Sequence, residues 1–273
     1  MKIVHFHDGL GNQIFTYLFY LYTKETRASE SIFITKYSQT LHTHHGFELT
    51  KVFRINDLRE NPLITLLGIL DSIIIRKPTL RKHITNLSAY KRYVSSNILK
   101  AYWMNQKYYR HSNLQKTLQF RTEGLSAESI EMAKLIEDNT SVAIHIRRGD
   151  YLNADHTEQF GGCCTEEYYR KSIAYIKALH PEAKLYFFSD DMDWVRQNMA
   201  YEDSVYVDFN RGNDSWQDMY LMSLCRHHII ANSTFSYWGA MLATDRPEHI
   251  VIAPKKWYIW KDPDIFPEDW IRF

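Results

Sequence analysis

Cysteine is scarce in this sequence and shows no regular spacing. Only three cysteines occur in 273 residues, and two of them, Cys163 and Cys164, are adjacent. Disulfide-rich domains and structural zinc sites need more cysteines, usually with a Cys-x-x-Cys pair. The sequence therefore argues against a disulfide framework and a cysteine-based metal site, and it favours a reducing compartment.

Long apolar runs and an excess of one charge are also absent. The most apolar window, residues 62–75, contains Gly68 and Asp71 and is too short to span a membrane. Basic residues follow it, so residues 62–82 are interpreted as a core helix with a solvated end, with an interfacial membrane anchor as the alternative. Met1–Phe6 predicts a strand rather than a signal peptide. Because 33 basic residues balance 32 acidic ones, no nucleic-acid partner is expected.

Several familiar nucleotide-binding and hydrolytic motifs are missing. Gly9–Gln13 (GLGNQ) joins a predicted first strand to a helix, but Ile14 occupies the last glycine position of a GxGxxG dinucleotide motif. Neither a P-loop, nor HExxH, nor GxSxG occurs, which disfavours P-loop nucleotidases, zinc proteases and serine hydrolases. The glycines would still let the backbone approach a ligand at the helix N-terminus, where anions are favoured.

The most informative stretch that is present is Val142–Tyr151. A run of apolar and β-branched residues ends there in Arg147, Arg148, Gly149 and Asp150. Such a run predicts a buried parallel strand, whose carboxyl end opens into the crevice where open α/β sheets bind ligands. Because the arginine fork suits phosphate and pyrophosphate, the stretch predicts an anion site, most simply for a nucleotide. The alternative is a strand end with solvated arginines paired with Asp150.

Polar residues follow the other predicted strands of the second half. Strands alternate with helices from Ser141 onward, which predicts a parallel, doubly wound sheet. Asp190–Asp191, Asp208 and Asn232–Ser236 all come at carboxyl ends of these strands. Hydroxyl and backbone N–H groups at the helix start after residue 232 suit a phosphate. A capped helix start without a ligand is the alternative.

Two Asp-x-Asp triplets, Asp191–Asp193 and Asp262–Asp264, resemble motifs that hold a divalent ion on a diphosphate. We interpret the first as a helix cap and the second as a surface turn, because two arginines can neutralise a pyrophosphate without a metal. The histidines at 42, 44 and 45 are interpreted as part of a loop or acceptor surface. No metal site is predicted.

The apolar patterns predict the following elements along the chain. The first half is predicted to hold a strand over 1–6, a helix over 14–28, a strand over 31–35, and a mainly helical segment over 61–120 with a short strand near Tyr102–Trp103. The second half is predicted to hold helices over 125–139, 165–180, 192–200, 215–226 and 237–243, and strands over 141–146, 184–188, 204–207, 228–231 and 250–253.

Taken together, these residues resemble the α-1,2-fucosyltransferases of glycosyltransferase family 11. The resemblance covers nearly the whole chain, in order, and rests on five motifs: Gly9–Phe15, Tyr102–Trp103, His145–Tyr151, Phe188–Asp191 and Asn232–Ala240. Pro254 with Trp257 resembles a further signature. The chain departs from the family where His7-Asp8-Gly9 stands in place of two glycines before the leucine, and where Met104-Asn105 follows Tyr102–Trp103.

The resemblance implies a GT-B-like α/β fold, with two Rossmann-like domains whose parallel sheets face each other across a cleft. Residues 1–138 would form an acceptor-side domain and residues 139–273 a GDP-fucose-binding domain. It further implies an inverting transfer of L-fucose from GDP-β-L-fucose to the 2-hydroxyl of a terminal galactose, without a metal or other cofactor. The acceptor would be a glycan, lipid-linked as one option. The alternatives are another GDP-sugar or linkage, or a binding protein without turnover.

The resemblance also implies roles for individual residues. Arg147 would hold the donor pyrophosphate, and Asn12 would lie near the reacting groups. Apart from the resemblance, a carboxylate base could assist inversion, and the candidates are Asp8 and Asp150, with a salt-bridge role as the alternative for Asp150. The expected donor-binding residues are Gly9, Gly11, Gln13, His145, Arg148, Asp190, Asp191, Asn232, Ser233, Thr234, Phe235 and Ser236. The expected location is the bacterial cytoplasm, with peripheral contact at the inner face of the plasma membrane as an option, where O-antigen-like repeat units are assembled.

Overall fold

The computed structural model describes residues 1–36, 45–66, 97–149, 161–202, 204–243, 248–259 and 262–273. The chain divides into two compact units, Met1–Gln119 and Phe120–Phe273. Each unit contains one parallel sheet, so the predicted α/β class with two parallel sheets is confirmed. The sequence places the boundary at 138/139 instead, and the helix between the two positions packs within the second unit.

The first unit is built on a three-stranded sheet in the order β2-β1-β3. Its elements are, in chain order, β1 (Lys2–His5), α1 (Leu10–Thr26), β2 (Ile32–Thr35), α2 (Leu49–Val52), β3 (Ile98–Leu99) and α3 (Leu114–Thr117). The central strand β1 has the register Val4↔Ile34 to β2 and Val4↔Leu99 to β3. Val4 and Ile34 are fully buried on the sheet.

Two predictions for the first unit are wrong. The helix α1 begins at Leu10 rather than Ile14, because the amides of Asn12 and Gln13 already bond to the Gly9 carbonyl at 3.0 and 3.1 Å. The strand expected near Tyr102 lies instead at Ile98–Leu99. Only residues 61–66 and 97–120 of the segment predicted as mainly helical are described, and helix is limited there to 62–66 and short turns.

The second unit is built on a six-stranded sheet in the order β6-β5-β4-β7-β8-β9. Its elements are, in chain order, α4 (Ala127–Glu137), β4 (Ser141–Ile146), α5 (Glu166–Leu179), β5 (Lys184–Ser189), α6 (Met192–Asn198), β6 (Ser204–Val207), α7 (Trp216–Leu224), β7 (His227–Ile229), α8 (Thr234–Met241), β8 (Val251–Ala253) and β9 (Ile271–Arg272). These positions confirm the predicted elements closely, except that β9 was not foreseen. The strand predicted as the last, β8, is followed by β9.

The core of the second unit covers β4 and β5. Ile144, Leu185 and Phe187 are fully buried in one cluster with Ile173 and Ile176 of α5. Each such side chain contributes roughly 1.5–3 kcal/mol when it leaves water. Because β4 is buried at every position, its sequence does not alternate between apolar and polar residues, and four of its six residues are apolar.

The strand order places a switch point beside β4. From β4 the chain runs through β5 to β6 on one side, and then returns to β7, β8 and β9 on the other. Open α/β sheets bind ligands outside the carboxyl ends of the strands at such a point. The segments that follow β4 and β7 are therefore the first places to look for a site.

None of the described helices has the length and apolar character needed to cross a bilayer. Residues 67–82 of the segment interpreted as a core helix lie outside the described residues, so neither that interpretation nor the anchor alternative is tested.

Candidate functional site

The loop after β4 is held by a carboxylate from the neighbouring strand. Asp190 follows β5, and its carboxylate accepts from the backbone amides of Arg148 (2.9 Å) and Gly149 (3.0 Å). The same carboxylate lies 3.3 Å from the guanidinium of Arg147. A Cβ at Gly149 would stand 2.6 Å from the Asp190 oxygen, so a side chain here would displace the Asp190 carboxylate or the loop that it holds. Asp190 therefore shapes the loop that presents the arginines.

Arg148 is anchored by different neighbours from those of Arg147. Its Nε lies 3.1 Å from the Asp191 carboxylate, and its guanidinium carbon lies 4.0 Å from the centre of the Trp194 ring. Asp191 also caps α6, since its other oxygen accepts from the Trp194 amide at 3.3 Å. The ion pair and the cation–π contact fix the direction of Arg148. Arg147 lies 3.3 Å from Asp190 and keeps 31% of its side chain exposed.

His145 lies beneath this loop as a neutral, buried imidazole. Burial, followed by the positive charge of Arg147, lowers its pKa to about 4, although Asp190 acts in the opposite direction. Its ring faces Phe235 at 6.0 Å. Its Nδ1 is buried without a hydrogen-bond partner in the described structure. Since buried polar atoms are almost always paired, this nitrogen is a ready contact for a ligand.

The segment Asn232–Ser236 connects β7 to α8 at the other side of the switch point. Two of its side chains bond within the protein: Asn232 donates to the Trp257 carbonyl at 3.0 Å, and Ser236 donates to backbone carbonyls. Ser233 caps α8 and accepts from the Phe235 amide over a long 3.4 Å. Thr234 and Phe235 remain half-buried. What this segment presents to a ligand is the start of the helix, with its amide groups.

A pocket of about 280 Å³ opens beside the arginines. It is lined by residues that follow β4 and residues from the starts of α5 and α6: Ile146, Arg147, Arg148, Cys164, Thr165, Glu166, Tyr169 and Trp194. Tyr169 donates to the His145 carbonyl at 3.1 Å, which ties α5 to the strand end. Sequence reasoning missed Tyr169 and Trp194 because both read as ordinary aromatic residues on helices.

In the first unit, the predicted residues Gly9, Gly11 and Gln13 shape the start of α1. Gly9 precedes the helix, and Gly11 is buried within its first turn. Both amide hydrogens of Gln13 are donated, to the carbonyls of Asp8 and Gly46 at 2.9 Å each, and its oxygen accepts from two amides at the start of α2. Asn12 is half-buried in the same turn. Gln13 therefore joins the loop after β1 to the segment that precedes α2.

Glu48 is a buried acidic residue that the sequence analysis did not single out. Its side chain is buried, its carboxyl accepts from the Leu10 amide at the start of α1, and burial raises its pKa to about 7. A carboxyl of the protein thus already occupies the N-terminus of α1. No sequence signal pointed to it, because the contact joins residues far apart in the chain.

The loop after β1 carries a buried pair, His7 and Asp8. Nδ1 of His7 lies 2.7 Å from the Asp8 carboxylate, and Nε2 donates to the Ala101 carbonyl at 3.0 Å. Asp8 has a left-handed backbone with φ of +60°, and Trp103 has one with φ of +53°. Tyr102, between Ala101 and Trp103, packs edge-on against His7 and is 51% exposed.

Some predicted features are structural or lie outside the described residues. Asp150 lies outside them, as do His42 and His44. Asp191 caps a helix as predicted, and Asp262 accepts from the Trp257 amide and pairs with Arg272. Within the described ranges, no three His, Cys, Asp or Glu side chains are grouped so that they could hold a metal ion.

The profile of glycosyl transferase family 11 matches residues 1–272. The chain is 36% identical over 176 residues to an alpha-1,2-colitosyltransferase of Escherichia coli, covering 63% of this chain and 60% of that protein. It is 41% identical over 125 residues to the O-antigen biosynthesis glycosyltransferase WbnK of Escherichia coli, and the match covers 45% of this chain and 41% of that protein. It is 31% identical over 107 residues to a galactoside 2-alpha-L-fucosyltransferase of Bos taurus, and the match covers 38% of this chain and 29% of that protein. The match thus spans 60% or less of each of these relatives.

Among solved structures, the chain is similar to the fucosyltransferase NodZ from Bradyrhizobium, with 13% identity and a TM-score of 0.48. The match covers 89% of this chain and 92% of the NodZ chain. It is also similar to POFUT1 in complex with GDP, with 14% identity, a TM-score of 0.45 and coverage of 93% and 98%.

Proposed function

Because the chain belongs to glycosyl transferase family 11, we propose that it is an inverting α-1,2-fucosyltransferase. It moves L-fucose from GDP-β-L-fucose to the 2-hydroxyl of a terminal galactose in a glycan. The observation that carries the proposal is Arg147, a partly exposed arginine at the switch point of the second sheet, beside a neutral buried histidine with an unpaired nitrogen. Two of the three relatives named above carry an α-1,2 or 2-α transfer in their names, which supports the proposed linkage.

The proposal assigns the donor pyrophosphate to the carboxyl ends of β4 and β7. Arg147 supplies the positive charge, and the amides at the start of α8 supply further donors. Asp190 holds Arg147 in place before the donor arrives, at 3.3 Å, and keeps the loop folded through two amide bonds. His145 stays neutral at pH 7 because its pKa is lowered to about 4, so it contacts the nucleotide through hydrogen bonds rather than charge.

Departure of GDP concentrates negative charge on the β-phosphate while the sugar gains positive character. Groups that are already aimed at developing charge are usually the largest catalytic contribution, and removing one costs about 2.7–4 kcal/mol of barrier. Arg147 is the residue to which the proposal gives this role. Arg148 contributes less, because its fork is already engaged by Asp191 and Trp194. It serves chiefly to stiffen the loop.

A second candidate donor is favoured by the 36% identity to an alpha-1,2-colitosyltransferase. Colitose differs from fucose by the absence of one ring hydroxyl. A site built to bond that hydroxyl would reject the deoxy sugar strongly, whereas a site without such a bond would discriminate only weakly. Comparing kcat/KM for GDP-fucose and GDP-colitose therefore decides between the two sugars.

The proposed acceptor is a galactose-terminated glycan, lipid-linked as one option. The O-antigen relative supports a place in the assembly of polysaccharide repeat units, which would put the reaction on the cytoplasmic face of the bacterial inner membrane.

The test uses purified protein with GDP-fucose and a panel of β-galactosides, with and without a chelator, and reads the product linkage by NMR. The proposal expects an α-1,2-linked fucose whose formation does not depend on added metal. Formation of a different linkage would overturn the linkage assignment. Absence of both transfer and GDP-fucose binding would overturn the function as a whole.

A further inference from the structure

A group of histidines lies at the amino end of the second sheet, opposite the strand end that carries Arg147. His227 and His228 begin β7, and His249 precedes β8. The ring of His180, which follows α5, stacks on the ring of His227 with 4.5 Å between their centroids. In the part of the chain that the structure describes, no three of these side chains are grouped so that they could hold a metal ion. Their hydrogen bonds are therefore the place to look for a role.

The side chain of His227 takes the place of a backbone acceptor where β7 meets β8. Its Nδ1 accepts from the Ile250 amide at 3.2 Å. The Ile250 carbonyl accepts in turn from the His228 amide at 2.9 Å. Both polar groups of the Ile250 backbone are thus bonded to the start of β7, and one of the two bonds depends on an imidazole.

The bond from Ile250 fixes where His227 carries its hydrogen. A backbone amide only donates, so Nδ1 carries none, and the hydrogen of the neutral ring lies on Nε2. Nε2 is buried and has no hydrogen-bond partner in the described structure. A second proton could enter only at Nδ1, where the Ile250 amide points its own hydrogen. A positively charged His227 ring and the bond to Ile250 therefore exclude each other.

The adjacent His228 differs in this respect. Its Nε2 donates to the Met222 carbonyl at 2.8 Å, so Nδ1 of the neutral ring is bare and faces Nε2 of His249 at 2.9 Å. His249 donates in this contact, and Nε2 still carries its hydrogen when the His249 ring is charged. A proton gained by His249 leaves that bond in place, whereas a proton gained by His227 must break one.

Most of the charged and titratable groups that face His227 oppose a positive ring. They are His180 and Glu182 from the segment after α5, His249 from the segment before β8, and the adjacent Arg226. Burial is the largest cause that lowers the pKa of His227, to about 4, and His180, His249 and Arg226 act in the same direction, while Glu182 opposes them. His227 is therefore neutral at pH 7 in the folded protein.

From these contacts we infer that His227 forms a pH-sensitive bond between β7 and β8, which holds the Ile250 amide while the ring is neutral and releases it when the ring gains a proton. The inference does not rest on the proposed function. Strand β7 is only three residues long and is followed closely by Asn232–Ser236. Acid therefore acts on the strand that leads into one of the segments proposed for the donor.

Acid should weaken this bond rather than strengthen it. The pKa of His227 is 6.5 when the ring is free and about 4 in the folded protein, so the bonded state takes up a proton less readily than the released state. The bond is then at full strength above pH 6.5 and weakens as the pH falls toward 4. Release of the Ile250 amide should become about 30-fold more favourable between pH 7 and pH 5.

Amide hydrogen exchange, followed by NMR of protein labelled with nitrogen-15 isoleucine, measures this release at a single residue. The protection factor of the Ile250 amide should fall by about 30-fold from pH 7 to pH 5. The Ile230 amide donates to the Ile252 carbonyl at 2.9 Å in the same pair of strands. It is the internal control and should keep its protection.

His227→Asn removes the titration while keeping an acceptor, because the side-chain oxygen of asparagine can stand near the position of Nδ1. In this variant the Ile250 amide should show the same protection factor at both pH values. His111→Asn replaces an exposed histidine of the first unit and should leave the wild-type pH dependence unchanged. An NMR titration of the wild-type imidazoles needs no substitution and should find the His227 hydrogen on Nε2 at pH 7.

A constant protection factor of the Ile250 amide between pH 7 and pH 5 would overturn the inference. An equal loss of protection at Ile230 would also overturn it, because the whole sheet would then be opening. The same loss in His227→Asn would show that another group titrates. A hydrogen on Nδ1 of His227 at pH 7 would contradict the bond on which the inference stands.

Discussion

The central strands of the two sheets, β1 and β4, end in opposite chemistry. Both are buried parallel strands with a partner on each side. After β4 come Arg147 and Arg148, partly exposed and paired with acids from the next strand. After β1 come His7 and Asp8, buried and paired with each other. The same position in a parallel sheet thus carries partly exposed arginines in one unit and a buried histidine–aspartate pair in the other.

The difference is visible at the helix starts as well. At the start of α8 the Phe235 amide makes a long bond of 3.4 Å to the Ser233 hydroxyl. The start of α1 is already occupied by the Glu48 carboxyl. Helix N-termini attract negative charge in general, so the start of α8, rather than that of α1, is the one that we propose for the donor phosphate.

Arg147→Ala is expected to have the largest effect, and it tests the carboxyl end of β4, where Arg147 and Arg148 lie. Turnover should fall about 100- to 1,000-fold, because the charge that develops on the leaving phosphate loses its preorganised partner. Arg147→Lys should recover part of this loss, since it restores the charge but not the fork. Initial rates of fucose transfer at saturating acceptor measure both. If Arg147→Ala kept a third of wild-type turnover, the β4 end would not be the site of charge stabilisation.

Glu48→Gln tests the role of the buried Glu48 carboxyl at the start of α1 by its effect on stability. The pKa of Glu48 is raised from 4.5 to about 7 in the folded protein, so the folded state holds its proton more tightly than the unfolded chain. Its contribution is fully present below pH 4.5 and is lost as the pH rises through 7. The free energy of unfolding of the wild type should therefore fall by roughly 3 kcal/mol relative to Glu48→Gln across this window.

Urea unfolding of both proteins between pH 4 and 8 measures this difference, with the exposed Glu25→Gln as the control that should show none. A pH-independent difference between Glu48→Gln and the wild type would mean that the Glu48 carboxyl is not held in its protonated form at the start of α1.

The positions of the strands could be predicted from the sequence, but most of the difference between the residues that follow β1 and those that follow β4 could not. The prediction of β4 at 141–146 agrees with the structure to the residue, because a strand buried on both faces is a continuous apolar run. Strand β9 was missed because two residues carry no period, and its position depends on pairing with β8, 19 residues earlier in the register Ile252↔Ile271. The start of α1 was placed too late because Gly9–Gln13 resembles a turn.

The site shows the same limit. The sequence singled out Arg147 and Arg148 together, but their difference arises from Asp190, Asp191 and Trp194, more than 40 residues away. Gln13 was predicted to bind the donor, and in the structure its amide joins two loops instead; its role toward the donor stays a prediction. Such roles depend on tertiary contacts that no local pattern records.

Gly149→Ala tests how Asp190 shapes the loop after β4 that carries Arg147 and Arg148. The new Cβ would stand 2.6 Å from the Asp190 oxygen, so the Asp190 carboxylate or the loop must shift, which disturbs the contacts that hold Arg147. A displacement of about 1 Å near reacting groups costs on the order of 100-fold in rate, and a loss of 10- to 100-fold is expected. Gly124→Ala is the control, since its Cβ would meet Trp216 at an ordinary 3.6 Å. Equal rates for both variants would contradict this account.

Arg148→Ala should have the smallest effect of the four. Its guanidinium is engaged by Asp191 and Trp194, so its loss loosens the loop without removing the main charge. We expect a fall in kcat/KM of about tenfold, equivalent to about 1.4 kcal/mol. Steady-state kinetics beside Arg147→Ala measure the ratio. A loss as large as that of Arg147→Ala would show that the two arginines act as one unit.

The most direct test of the central claim is calorimetric titration of GDP and of guanosine into the wild type and Arg147→Ala. If Arg147 at the end of β4 binds the pyrophosphate, the substitution should weaken GDP by about tenfold or more, as expected for a charge-assisted bond, and leave guanosine unchanged. Equal affinity of both proteins for GDP would contradict the claim that this strand end is the donor site.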